Sequence, residues 1–405
     1  MDKSLEQPLV DLPRRGSDAC EPSPPPSGAA AAALHHFHPY FFVLGLFPPP
    51  GCSASPRTAA ASRVAFLLLL GIGLSGIGIF VYVVQTNETY RTAVGLSWRV
   101  VDTGTSWVAA IFSWMAIRSI LSHSELESMV ELADVRGSQK TRVDRMTRIV
   151  FWLVFLGITL LLIFNLLFLV MAAEVSSYRQ GLPLGWIVPL ALTVSLLILP
   201  CLVCQGLWLT LALLLRVRMQ LLATRFDAME LPRDFRPMLK AVSETANASS
   251  RLSSQLATFF IPFLFFLGLR YFVTVVALAS FSEADKGFFA IAISLSFALY
   301  LATVFFIPFV VGAYTTSAAA HMRKALTNRY VELCLRGEAA DMTPEAHDAF
   351  SRLSAFIQFE KPRLRLRVAG LSLTFGLLTK VFAIFLSVTV FVFNPPFESV
   401  FWNAA

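Results

Sequence analysis

Four charged residues, Arg99, Asp102, Arg270 and Lys380, stand inside long apolar runs. A charge at the centre of a bilayer costs about 2.5 kcal/mol or more unless it is paired or hydrated. Arg99 and Asp102 are three apart, so they share a helix face and can neutralise each other. Arg270 is followed by Tyr271 and Phe272, and Trp98, Trp107, Phe297 and Tyr300 fall at comparable depth. Together these residues suggest a small-molecule pocket, polar at Arg99, Asp102 and Arg270 and walled by aromatics. The alternative is a structural ion pair plus one snorkelling arginine.

A second pattern lies near the C-terminus. Ser372, Gly376, Thr379, Ala383, Ser387, Val390 and Asn394 recur every three or four residues, which places them on one stripe of a helix. Leu371, Phe375, Leu378, Phe382, Phe385 and Val392 cover the other side with bulk. A stripe of small and polar residues in a membrane helix either packs closely on a neighbour or lines water. Lys380 lies in the same segment; it is expected at a cytoplasmic vestibule wall or beside a carboxylate.

Other motifs carry less. Gly71-x-Gly73-x-x-Gly76 has the letters of a dinucleotide fingerprint but lies inside an apolar run without the strand that chemistry requires. Close helix packing explains its small residues. Cys201-x-x-Cys204 lacks further ligands for a metal, and His35, His36 and His38 are read as a polar lead-in to Pro39–Pro50. No triad, phosphate loop or paired carboxylates suited to hydrolysis is present. No enzyme activity, cofactor or metal is expected.

The elements that must position these residues are membrane helices. The 405 residues are 56% hydrophobic and 15% charged, with mean hydropathy +0.65. Apolar runs of bilayer-crossing length recur at about 64–84, 93–117, 149–173, 185–215, 257–280, 288–314 and 369–393. Of 33 Lys and Arg residues, three (Arg99, Arg270, Lys380) lie within runs and three (Arg91, Arg179, Lys286) in alternate loops, which leaves 27 on the opposite side. Positive charge accumulates in the cytoplasm. The expected fold is therefore an all-α membrane protein of seven transmembrane helices, N-terminus cytoplasmic and C-terminus extracellular. This is the reverse of a G-protein-coupled receptor. The basic excess of +7 follows from topology and does not point to nucleic acid.

Residues 1–38 are rich in Pro, Ser and Ala and form an expected disordered tail with no secretory signal. Residues 39–63 are a lead-in whose apolar Tyr40–Phe47 segment lies at the interface or caps the bundle. The seven-helix domain is 64–394, and 395–405 is an extracellular tail. Asn87-Glu88-Thr89 is an outer sequon close to the membrane, whereas Asn247-Ala248-Ser249 falls on the cytoplasmic side. Residues 315–368 form a cytoplasmic anchor region, where Val331, Cys334 and Leu335, then Phe350, Leu353, Phe356 and Ile357, recur at helical spacing. Leu239, Val242, Leu252 and Leu256 do the same one loop earlier. Helical extensions below the membrane would pack into a collar; surface helices on anionic lipid are the alternative.

With this topology, two segments resemble the insect gustatory and odorant receptor superfamily, more closely its gustatory branch. They are Tyr40-Phe-Phe-Val-Leu-Gly-Leu-Phe-Pro48 and Val368-Ala-Gly-Leu-Ser-Leu-Thr-Phe375. The family signature of Thr-Tyr, five hydrophobics and Gln-Phe corresponds here to Ser387-Val388, Thr389–Phe393 and Asn394-Pro395. Ser and Asn preserve polarity, while Val388 and Pro395 depart, as in a divergent member. The resemblance implies a ligand-gated cation channel acting as a chemoreceptor. It would be a homotetramer, or paired with a related co-receptor subunit, with the last helix of each subunit around one pore. It also implies an outward pocket for a small-molecule ligand, and that Ser387, Val390, Phe391 and Asn394 line or gate the pore. A secondary transporter is the rival, although no internal repeat of the kind many transporters show is visible.

Overall fold

The computed structural model describes residues 35–47, 55–86, 93–122, 144–159 with 163, 184–228, 234–279, 306–335 and 343–392. Residues 1–34 of the expected tail, the Asn87 sequon, residues 160–162 and 164–173 of the third span, residues 288–305 of the sixth and the segment 395–405 lie outside them, whereas residues 35–38, expected in the disordered tail, are helical.

The described chain is helical apart from one small hairpin. A 3-10 turn at His35–Phe37 leads into α1 (His38–Val43), followed by α2 (Pro56–Thr86), α3 (Ala93–Ser122), α4 (144–159), α5 (Leu184–Asp227), α6 (Phe235–Ala279), α7 (Ile307–Leu335), α8 (Pro344–Glu360) and α9 (Phe375–Val392). Strands β1 (Arg367–Val368) and β2 (Leu371–Ser372) pair antiparallel between α8 and α9. At about 1.5 Å per residue, the 44 residues of α5 and 45 of α6 reach about 66 Å, twice a bilayer core. Both helices thus run well past any membrane they cross. Among the described residues, Pro56–Ile79 and Leu199–Phe226 are long and apolar enough to span by themselves. The first leaves Leu67, Leu68 and Leu74 exposed, whereas the second is almost wholly enclosed.

The lead-in is part of the core. Phe37, Phe41 and Leu44 are fully buried, and Phe37 meets Phe151 of α4 edge to face, ring centroids 6.4 Å apart. The turn after α1 requires Gly45, whose φ is +70° and whose added Cβ would lie 2.7 Å from Phe66 Cβ. Ser62 donates to the Phe42 carbonyl at 2.8 Å, and the Trp114 indole donates to that of Leu44 at 3.2 Å. Of the two placements expected for Tyr40–Phe47, the structure selects the cap. Gly206 of α5 provides its seat, since a Cβ there would stand 2.6 Å from Val154 and 3.1 Å from Phe37.

Of the three glycines in the expected close-packing motif of α2, Gly73 and Gly76 sit against neighbours, whereas Gly71 faces open space. A Cβ on Gly73 would meet Trp107 at 2.9 Å, and one on Gly76 would collide with Thr193. Cys201 and Cys204 are free thiols buried in the α5 packing surface.

The histidines also pack. His36 Nε2 lies 3.0 Å from Asp144 Oδ1, and Arg148 reaches the other oxygen at 3.1 Å. The hydrogen bond from His36, aided by Arg148, holds the Asp144 carboxyl below its ordinary 3.8. Burial, and then the neighbouring His35, hold the His38 imidazole below its ordinary 6.5. The folded chain therefore favours neutral His38, and the stability this carries is full above 6.5 and lost as pH falls below it. In unfolding midpoints measured from pH 7.5 to 5, His38→Gln should flatten the acid-side decline relative to the unaltered chain. Parallel curves would show that His38 contributes nothing.

The last expected span starts too early. Ala369 (φ 50°) and Gly370 (φ 80°) form the two-residue loop of the hairpin, the backbone that a tight hairpin turn needs. Leu366, Val368 and Leu373 are buried and the Arg367 amide donates to Ser253 Oγ at 3.0 Å, so the hairpin is tied down on α6. Thr374 then caps α9, accepting from the Leu377 amide at 3.2 Å. Residues 369–374 are thus not helical, and Ser372 lies on a strand rather than on the α9 stripe.

Candidate functional site

The site is built on α9 and on the helix against which it rests. Phe375 packs edge to face on Tyr314 of α7, centroids 5.0 Å apart, and Phe382 packs on Phe306 at 5.8 Å. Leu373 fills the notch left by Gly312, where any Cβ would collide with it. Leu377, Leu378 and Val381 are partly buried against the core.

The opposite face of α9 is open. Gly376, Thr379, Lys380, Ala383 and Ser387 are all exposed. The Thr379 hydroxyl donates to the Phe375 carbonyl at 3.0 Å and that of Ser387 to Ala383 at 2.8 Å, both within the helix. These hydroxyls are satisfied four residues back along their own backbone, as polar groups in an apolar helix must be. No other described segment of the chain covers this face. Val390 and Phe391 belong to the backbone of α9, and their side chains, like Asn394 as a whole, lie outside the described residues.

The proposed pocket is only partly in view. Trp98, Arg99 and Asp102 belong to α3 and Arg270 and Tyr271 to α6; their side chains, and Phe297 and Tyr300 entirely, lie outside the described residues. Trp107 is half-buried against Gly73, and its indole N–H is enclosed with no acceptor among the described residues.

At one end of the bundle two cations lie over aromatic faces. The Arg118 guanidinium sits 5.7 Å from the Trp114 ring, and that of Arg216 sits 4.9 Å from Tyr314. The α9 start at Phe375 touches the same Tyr314. Arg216, Tyr314 and Phe375 thus meet at one level.

Sequence reasoning missed two groupings. Arg218 of α5 is buried against Thr245 and Glu244 of α6, three residues past an apolar run; a charge in that position is the only signal it gave. Residues 363–368 read Arg-Leu-Arg-Leu-Arg-Val, and this period of two announces the strand that the helical expectation overrode.

No protein-family model and no curated protein matches the chain. Among solved structures it is similar to the insect olfactory receptor OR5 from Machilis hrabei in complex with eugenol. The TM-score is 0.59 at 11% identity, covering 90% of this chain and 96% of that one. A second structure of that receptor gives 0.56 at 10% identity, covering 90% and 99%. The chain therefore carries the fold of that insect olfactory receptor.

Proposed function

We propose that this chain is a divergent chemoreceptor-type, ligand-gated cation channel of the plasma membrane, built as a homotetramer with α9 of each subunit lining the pore. The observation that carries the proposal is the open face of α9. On a fold like that of the Machilis receptor, a helix holds bulk against α7 and presents Gly376, Thr379, Ala383 and Ser387 to no other described segment of the chain. A face of small and polar side chains, rather than lipid-facing bulk, fits a pore wall. The seven-span orientation with the C-terminus outside is supported by the charge split, because Lys and Arg accumulate in cytoplasmic loops. The enclosed Trp107 N–H supports a small-molecule pocket between α3 and its neighbours, polar at Arg99, Asp102 and Arg270. The gustatory branch is the closer relative in this proposal.

The test is thiol accessibility in planar bilayers. Cys20, Cys52 and Cys334 are replaced by Ser, buried Cys201 and Cys204 are kept, and single cysteines are placed at Thr379, Ser387 and, as the packed control, Leu378. Eugenol, the ligand of the similar receptor, is the first activator applied. A cationic methanethiosulfonate reagent should cut the cation current at least severalfold at 379 and 387 and leave 378 unchanged. Absence of any current, or equal effects at all three positions, would remove the pore from α9.

A further inference from the structure

Arg323 of α7, Lys361 at the end of α8 and Arg365 before β1 converge on one cleft. Its floor is Ala319, Ala320, Ile357 and Leu364, and it is a shallow, open notch rather than an enclosed cavity. Arg323 is 38 residues distant from Lys361 in sequence, so this is a tertiary grouping and not a run of charge. All three cations are half-buried. Among the described residues none of them has a carboxylate partner. The acid nearest in sequence, Glu360, is itself buried and engaged by Arg363, whose Nη1 lies 3.3 Å from both carboxylate oxygens. Arg363 also donates to Asn247 at 3.1 Å. Elsewhere on α7 and α8 the comparable arginines are paired, Arg329 with Glu332 at 3.7 Å and Arg352 with Asp348 at 2.8 Å. Three like charges drawn together on an apolar floor without counter-charge repel one another until an anion joins them.

We infer that this cleft is a binding site for a phosphate-bearing anion, with Arg323 and Arg365 able to take phosphate oxygens through paired N–H groups and Lys361 as a point charge. Arg323 stands nine residues beyond Tyr314 on α7, about 13 Å along the axis. In the proposed orientation that lies past the hydrocarbon edge, at a depth reached both by a phosphorylated lipid headgroup and by a soluble polyphosphate. The two sources share one chemistry, and experiment separates them. Only this placement rests on the proposed orientation; the binding itself does not require a channel.

The test uses the purified full-length chain in uncharged detergent, with inositol hexakisphosphate as the soluble probe and a dioctanoyl phosphatidylinositol bisphosphate as the lipid probe. Binding is read by thermophoresis, with sodium sulfate at matched ionic strength as the control for screening. At least one probe should bind, and each of Lys361→Gln and Arg365→Gln should weaken it about tenfold, the loss expected of one charge-assisted contact. The triple variant R323Q/K361Q/R365Q should abolish binding. Arg236→Gln, an exposed charge on α6, should leave it unchanged. Binding of the soluble probe assigns a free anion, and binding of the lipid probe alone assigns a headgroup. No binding by either probe, or equal losses in R236Q and the cleft variants, overturns the site. The K361Q and R365Q variants alter half-exposed side chains, so the result does not depend on folding of the triple variant.

Discussion

Trp208→Ala should lower the stability of the detergent-solubilised chain by about 3–5 kcal/mol, the range for truncating a large buried aromatic. Trp208 is fully enclosed between α5 and α6, and its indole donates to the Leu252 carbonyl at 3.3 Å. Much of α5 is apolar enough to lie in lipid, so water is not the alternative environment for this side chain. What the substitution removes is packing: dispersion contacts disappear and a cavity opens that the other buried side chains of α5 and α6 cannot fill without leaving their own sites. Trp208→Phe keeps most of the ring and loses the hydrogen bond, so a cost nearer 1–2 kcal/mol is expected. Denaturation monitored by far-ultraviolet circular dichroism would measure both. Equal costs for the two variants would show that the hydrogen bond, and not the volume, holds α5 to α6.

The second large effect concerns Arg218. Its side chain is 6% exposed, and its Nε donates to Thr245 Oγ1 at 2.5 Å while Nη2 donates to the Ala241 carbonyl at 3.1 Å and to Glu244 at 3.2 Å. Arginine stays charged at neutral pH in proteins, and Glu244 is its counter-charge here. The pair is asymmetric, because Glu244 is 35% exposed and has Lys240 at 3.9 Å as a second partner. Glu244→Gln strands a buried cation on neutral acceptors, which should cost about 2–3 kcal/mol, below the full penalty for breaking a buried pair because one side is wet. Arg218→Met leaves behind a carboxylate that water and Lys240 can serve, and an apolar side chain of similar length in the arginine's place. Its cost should be about 1 kcal/mol or less. The double variant should recover most of the E244Q loss. If R218M proves much worse than E244Q, the arginine's neutral hydrogen bonds outweigh its charge pairing.

Much of the fold was legible because membrane helices announce themselves by length and composition. The spacing of Gly73 and Gly76 marked a close contact, and Trp107 and Thr193 occupy it. Phe350, Leu353 and Ile357 recur at helical intervals and are the buried face of α8. The same periodicity in Val331, Cys334 and Leu335 marks a face that no described segment covers: those residues are exposed, Leu335 at 83%. Amphipathic spacing shows that side chains share a face, yet it cannot tell whether that face meets its own chain, a second copy or lipid. The hairpin at 367–372 was hidden for a different reason. Its alternating Leu and Arg residues carry a strand period, but they abut an apolar helix whose pattern can be extended backwards through Ser372.

The candidate site divides in the same way. A period of 3.6 residues is a property of the chain, so sequence alone determined that Gly376, Thr379, Ala383 and Ser387 lie together and that Phe375 and Phe382 lie apart from them. Only the tertiary structure decided which face is left open, because that depends on Tyr314, Phe306 and the Gly312 notch, brought against α9 from more than sixty residues earlier in the chain. The Arg323, Lys361 and Arg365 cleft is the extreme case. Each cation alone is an ordinary surface charge, and only long-range packing of α7 against the end of α8 brings them onto one floor without an acid between them.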